Sequence, residues 1–158
     1  MSSPPTVGKP APDFDLPVIG GGYPEHARVK LSDLKGSKVV LYFYPKDDTP
    51  GCTTQACGIR DEWGDLSKKA KVFGVSIDAI RKHAKFIQKY ELPFPLISDE
   101  EQTMVSAYGV WVEKSMYGKT YMGTERTTFI IDETGVIKAI LPRVKPAEHV
   151  DDVLEAIG

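Results

Sequence analysis

The sequence predicts an α/β domain in which a central mixed β-sheet is covered by helices on both faces. Three observations carry that prediction. Short apolar runs, such as Val39 to Tyr44 within KVVLYFY, read as strands buried on both sides. Between such runs, apolar residues recurring every three and four positions read as helices with one apolar face. Strands alternating with helices, followed by a strand pair and a closing helix, are the order of a sheet covered on both faces. At 158 residues, 41% of them hydrophobic and 27% charged, the chain has the size and composition of one globular domain, expected to span 1–158.

The elements follow in order. Gly20, Gly21 and Gly22, flanked by Pro17 and Pro24, predict a surface loop. Val29 to Leu34 reads as a short strand entering a turn at Asp33 to Gly36, and Lys38 to Tyr44 as a buried strand ended by Pro45. From Cys52 onward, Ala56, Ile59, Trp63 and Leu66 share one face of a helix, with Thr49 at its N-cap and Pro50 at its first position. Lys71 to Ile77 is a second buried strand. Ala79 to Tyr90 is a second helix with Phe86, Ile87 and Tyr90 on its apolar side, and Phe94 to Ile97 a short third strand. Asp99 followed by Gln102 suits a capped helix running through Tyr108. Thr127 to Ile131 and Val136 to Leu141 flank the turn Asp132 to Gly135 as a hairpin, and Pro146 opens a last helix ending near Gly158. Tyr42, Phe43, Tyr44, Trp63 and Trp111 are read as core. Tyr117, Tyr121 and Met122, in a stretch of weak periodicity, are read as lining an approach to the site.

Composition narrows the function. Twenty basic against twenty-two acidic side chains give a net charge of −2 with no block of five like charges, so nothing attracts nucleic acid or anionic lipid. The longest apolar run has six residues, against about 20 for a membrane-spanning helix. The opening MSSPPTVGKP has no apolar core of a leader, and cytoplasm is the expectation. Two cysteines in a chain able to bury a good core are not a disulfide scaffold; they point to chemistry.

Both cysteines fall in FYPKDDTPGCTTQACGIRD, Phe43 to Asp61, where a buried strand ends and a helix begins. Cys52 lies in the first helical turn, where free N–H groups and the positive end of the helix dipole stabilise a thiolate, which makes it a candidate nucleophile. The alternative is a buried cysteine acting as a small hydrophobe. Cys57 follows five residues later. A zinc or iron–sulfur site would want about four ligands; no further cysteine or histidine is nearby, and His26, His83 and His149 are scattered and read as surface or half-buried residues. No metal is expected. The Cys-x-x-Cys pattern of a disulfide reductase is also absent.

PKDDTPGC holds Pro45, Thr49 and Cys52 in the spacing P-x-x-x-T-x-x-C, and this segment resembles the peroxiredoxins. Together with KSMYGKTYMGTERTTFIID, the APDFDLP opening and the LSDLKG turn, the chain from about Gly8 onward is similar to the bacterioferritin comigratory protein, or peroxiredoxin Q, subgroup; the loop from Val18 to Arg28 is longer than the pattern. The resemblance implies a thioredoxin-like fold, with which the element order is compatible. It implies a thiol peroxidase with Cys52 peroxidatic and Cys57 resolving, Pro45 shielding the thiolate, Thr49 hydrogen-bonding sulfur or peroxide, Arg126 holding the thiolate and polarising the peroxide, and Gln55 supporting that polar network. The partners implied are hydrogen peroxide and organic hydroperoxides as substrates and thioredoxin or a similar dithiol as reductant, with no bound cofactor and a monomeric state. The rival uses of the same residues are plainer: strand termination by Pro45, a helix cap from the Thr49 hydroxyl, solvated Arg126 and Gln55, and a redox sensor built on the two thiols.

Overall fold

In the computed structural model, which describes residues 5–158, the mixed sheet has seven strands. Residues 1–4, the start of the stretch read for a leader, lie outside the described residues. In chain order the strands are β1 (Asp15–Ile19), β2 (Arg28–Lys30), β3 (Val39–Phe43), β4 (Lys71–Ser76), β5 (Leu96–Ser98), β6 (Trp111–Met116), β7 (Lys119–Thr124), β8 (Thr128–Ile131) and β9 (Ile137–Leu141). The helices are α1 (Pro50–Asp61), α2 (Trp63–Lys69), α3 (Ile80–Tyr90), α4 (Thr103–Ala107) and α5 (His149–Ile157). The sheet order is β2-β1-β5-β4-β3-β8-β9, with β3, β4 and β5 parallel and the remaining pairs antiparallel.

Alternation along β3 divides the core. Val39, Leu41 and Phe43 join Phe73, Val75, Phe129 and Ile131 against the short helix α4 and a 3-10 turn at Leu31–Leu34. Val40 and Tyr42, continued by Tyr44, face α1, α2, α3 and α5 together with Cys52, Ala56, Ile59, Leu66, Phe86 and Val153. Helices thus cover both faces, unequally. All of β3 is buried, which is why it carries no polar alternation.

Several boundaries differ from the sequence-based expectation. The strand expected over Val29 to Leu34 stops at Lys30, because Leu31 and Leu34, three apart, both turn into the core from the 3-10 turn. The long helix from Cys52 breaks at Glu62, whose carbonyl accepts from Asp65 and Leu66 and so starts α2. The helix expected from Asp99 is only Thr103–Ala107, with Asp99 Oδ2 reaching back to accept from Val105 N at 2.8 Å. The last helix starts at His149, not Pro146, after a turn closed by Glu148 N to Lys145 O. β1 was hidden by Pro17, which is tolerated because the strand changes neighbour there: Asp15–Pro17 pair with β2, Val18 and Ile19 with β5. The weakly periodic stretch is a separate hairpin, β6–β7, turned by Tyr117 and Gly118 at φ +53° and +76°, the signs of a type I′ turn.

Candidate active site

β3 delivers its C-terminal end to the chemistry. Its antiparallel register with β8 pairs Tyr42 with Thr128, and Phe43 N donates to Thr127 O at 2.9 Å. Arg126 therefore emerges beside the loop Pro45 to Thr49 that opens α1. The guanidinium lies against that helix start: a Cβ on Gly51 would stand 2.7 Å from Arg126 Nη2. Gly51 is needed here for space, since its φ is not in the left-handed region.

Cys52 sits in the first turn of α1, only 1% exposed and within the core packed against the sheet. Cys57 is half-buried, and both thiols are free. Thr49 occupies the N-cap position, yet its hydroxyl does not cap; it donates to Lys46 O at 2.9 Å. Pro50 at the first helical position needs no N–H partner there. Pro45, half-buried, follows β3 after one residue, Tyr44.

Gln55 is nine-tenths hidden and more, at 1% exposure, so a solvated role is excluded. Arg126 Nη1 donates to Gln55 Oε1 at 3.0 Å. The carboxamide nitrogen lies 3.2 Å from His149 Nδ1, and His149 Nε2 is 2.7 Å from Thr128 Oγ1. Burial first, and the Arg126 charge second, push the His149 pKa down to about 3. Lys114, from β6, brings a second cation: its Nζ donates to Thr124 O at 2.6 Å. Its pKa is lowered by burial and then by Arg126, while Glu125 and the Cys52 sulfur draw it up.

The loop is pinned from behind. Tyr44 Oη donates to Asp47 Oδ1 at 2.5 Å, His83 Nδ1 meets Asp47 Oδ2 at 2.6 Å, and His83 Nε2 meets Ile97 O at 2.9 Å. Asp47 N and Ser76 Oγ both donate to Asp78 Oδ2. Asp48, held at φ +59°, accepts from Lys89 Nζ and Tyr90 Oη at 2.8 Å each, and these two bonds hold its carboxyl below the usual range. Asp47, Asp78 and His83 are the one group among the described residues with three metal-type ligands close together. Oxygens of both carboxylates already accept from the hydroxyls, amide and imidazole just named, which suits a structural clamp.

His83 and His149 are therefore fully buried, contrary to the surface or half-buried reading, while His26 is exposed. Their burial was legible: His149 continues the Val153 and Ile157 stripe at four-residue spacing, and His83 lies three residues before Phe86 on the apolar side of α3. Lys114 stands inside the string KSMYGKTYMGTERTTFIID but has no signal of its own.

Comparison with known proteins shows the family to which this sequence and fold belong. The AhpC/TSA family model matches residues 7–140, a stretch that contains both cysteines and Arg126. The chain is 54% identical over 149 residues to a Coxiella burnetii protein named as a bcp peroxiredoxin, covering 94% of this chain and 95% of that one. It is 45% identical over 152 residues to peroxiredoxin Bcp of Bacillus subtilis, covering 96% and 94%. Among solved structures, Xanthomonas campestris peroxiredoxin Q superposes with a TM-score of 0.83 at 37% identity, over 91% of this chain and 89% of that chain. The thioredoxin-like sheet, the cysteine at the start of α1 and the extent of these matches lead to one conclusion: the chain belongs to the AhpC/TSA family, among the Bcp or Q-type peroxiredoxins, and is a thiol peroxidase.

Proposed function

We propose that Cys52 is the peroxidatic thiol and Cys57 the resolving one in a peroxidase recycled by thioredoxin or a similar dithiol. The observation that carries this reading is the Arg126 guanidinium packed on Gly51, the residue directly before Cys52 in the N-terminal turn of α1. Helix end and guanidinium place positive charge where a thiolate forms, against the opposing cost of burial. The Cys52 thiolate attacks one oxygen of the hydroperoxide, the O–O bond breaks, and the departing oxygen takes a proton to leave as water or alcohol. Cys52 is left as sulfenic acid. Arg126 stabilises charge on the oxygens as that bond breaks. Thr49 gives its proton to Lys46 O, so its oxygen is left to accept the peroxide O–H. Pro45 keeps water from the sulfur, and Gln55 holds Arg126 in place.

Cys57 then condenses with the sulfenic acid, forming the S–S bond and releasing one water. A dithiol reduces that bond by exchange, itself becoming a disulfide. Hydrogen peroxide and organic hydroperoxides are the substrate class; the related bacterioferritin comigratory protein of Xanthomonas campestris is described for alkyl peroxide reduction. A dithiol reductant fits a reducing compartment, and the proposed location is the cytoplasm. We propose further that 1–158 acts as one domain and as a monomer, since the apolar faces of its helices are turned into the sheet.

The test is steady-state peroxide consumption coupled to thioredoxin and its reductase. Cys52→Ser is expected to abolish turnover, and Cys57→Ser to complete one peroxide reaction and stall as sulfenic acid. Full turnover in Cys52→Ser would overturn the assignment, and full turnover in Cys57→Ser would take resolution away from Cys57.

A further inference from the structure

Gln55 lies between the two cysteines in sequence, and its side chain ties α1 to two other parts of the chain. The direction of every bond in that tie is set at its arginine end. A guanidinium only donates, so Gln55 must turn its oxygen to Arg126 and its NH2 to His149. His149 Nδ1 must then be a bare acceptor, and Nε2 carries the ring proton and donates to Thr128 Oγ1. A neutral imidazole is what this chain requires, and the lowered pKa of His149 supplies it. Without His149, the Gln55 NH2 group would be buried with no acceptor and free to exchange places with its oxygen, setting donor against donor at Arg126.

The same tie resists opening of α1. On one intact helix Cys57 stands roughly 140° around and 7.5 Å along from Cys52, so their side chains diverge. A disulfide needs Cα atoms within about 7 Å and converging Cβ vectors, so the turns between them must unwind. Unwinding withdraws Gln55 from Arg126 and His149. We propose that His149 is a positioning residue acting through Gln55: it keeps Arg126 at Gly51 for peroxide attack and latches α1 closed until the sulfenic acid has formed. The proposal rests on the reading of Cys57 as the resolving thiol. Its strength sets the balance between the closed form, which reacts with peroxide, and the open form, which makes the disulfide.

The test compares wild type with His149→Phe, which keeps a ring and removes both nitrogens, and His149→Asn, whose Oδ1 stands where Nδ1 does. Amide exchange across 53–58 is measured on the reduced protein, and rapid-quench mass spectrometry with hydrogen peroxide follows sulfenic acid and disulfide separately. In His149→Phe, exchange across 53–58 is expected to rise, the peroxide step to slow by roughly tenfold or more, and the disulfide step to accelerate. His149→Asn should return all three toward wild type, which a merely structural role for the ring would not do. Equal exchange and equal rates in a folded His149→Phe protein would overturn the latch, as would an Asn variant that folds but recovers nothing. Thr128→Val, which removes the other anchor of the ring, is the second variant should His149→Phe not fold, and is expected to change the same quantities in the same direction. Because exchange is read before any peroxide is added, a wild type that never forms the Cys52 to Cys57 disulfide would sink the resolving role of Cys57 and leave the latch to be judged by exchange alone.

Discussion

At Gly51 the absence of one carbon atom decides where a charge can sit. Gly51→Ala would place a Cβ 2.7 Å from Arg126 Nη2. The guanidinium is the far end of a flexible side chain, so it shifts and the fold stands. The expected outcome is a peroxide step slowed roughly 10- to 100-fold with thermal stability close to wild type, read by stopped-flow and calorimetry. Arg126→Ala should cost at least as much, roughly 100-fold or more, because the charge itself is lost. Tyr42 offers the opposite case. Its hydroxyl is buried beneath the site with no protein partner among the described residues, while its ring stacks on Tyr44 and meets Phe94 and His149. Tyr42→Phe keeps the packing and removes the stranded dipole, so unfolding free energy should rise or hold, by up to about 1 kcal/mol. A loss of several kcal/mol on denaturant titration would mean that the hydroxyl has a partner after all.

On the proposed roles of Cys52 and Cys57, α1 must be firm enough to hold Cys52 at its start and loose enough to open. Its second glycine sets that compromise. A Cβ on Gly58 would meet Val150 of α5 at 3.6 Å, an ordinary contact, so alanine fits. Gly58→Ala should stabilise the helix by about 0.5–1 kcal/mol and slow disulfide formation while leaving the first peroxide reaction unchanged. Rapid-quench measurement of the two steps separates these outcomes; a disulfide step as fast as wild type would show that opening does not limit it. Helical circular dichroism should fall on oxidation for the same reason. The break at Glu62 belongs to this scale as well: apolar spacing from Ala56 through Trp63 to Leu66 is continuous, but spacing cannot report that the carbonyl of Glu62 starts a new helix.

Across the whole molecule, His149 links the site to stability. Its pKa is about 3 in the folded protein against an ordinary 6.5. Between these values the unfolded chain binds a proton that the folded chain does not, so stability falls as pH falls through that window, by about 1.4 kcal/mol per pH unit from this group. Above pH 6.5 the ring is neutral in both states and contributes nothing. The groups facing it are Arg126 before β8, Gln55 of α1, Thr128 of β8 and Tyr42 of β3, and of these only Arg126 is charged. Denaturant unfolding across the window should therefore show a shallower pH slope in His149→Asn than in wild type; parallel slopes would contradict it. No helix among the described residues is long and apolar enough to cross a membrane.

The sequence alone determined the alternation of strands and helices and the buried strand feeding a helix with Cys52 in its first turn. These follow from periods of 2 and 3.6, which are written in the order of residues and survive small errors at the boundaries. Through resemblance it also named Pro45, Thr49, Arg126 and Gln55. Tertiary structure decided what lies across from each of them. The period of α5 puts His149 on a buried face, but nothing local says that the group it meets is Gln55, 94 positions away, or that Arg126, 71 positions from Gln55, closes the chain of bonds. Likewise Asp47 and His83, 36 apart, meet because β3 and β4 are parallel neighbours, so the loop after β3 and the helix after β4 leave the sheet at the same end. A pattern in sequence reports that a side chain leaves water, because burial acts on each residue separately. Which polar group it then finds depends on sheet order and register, fixed only when the whole core packs.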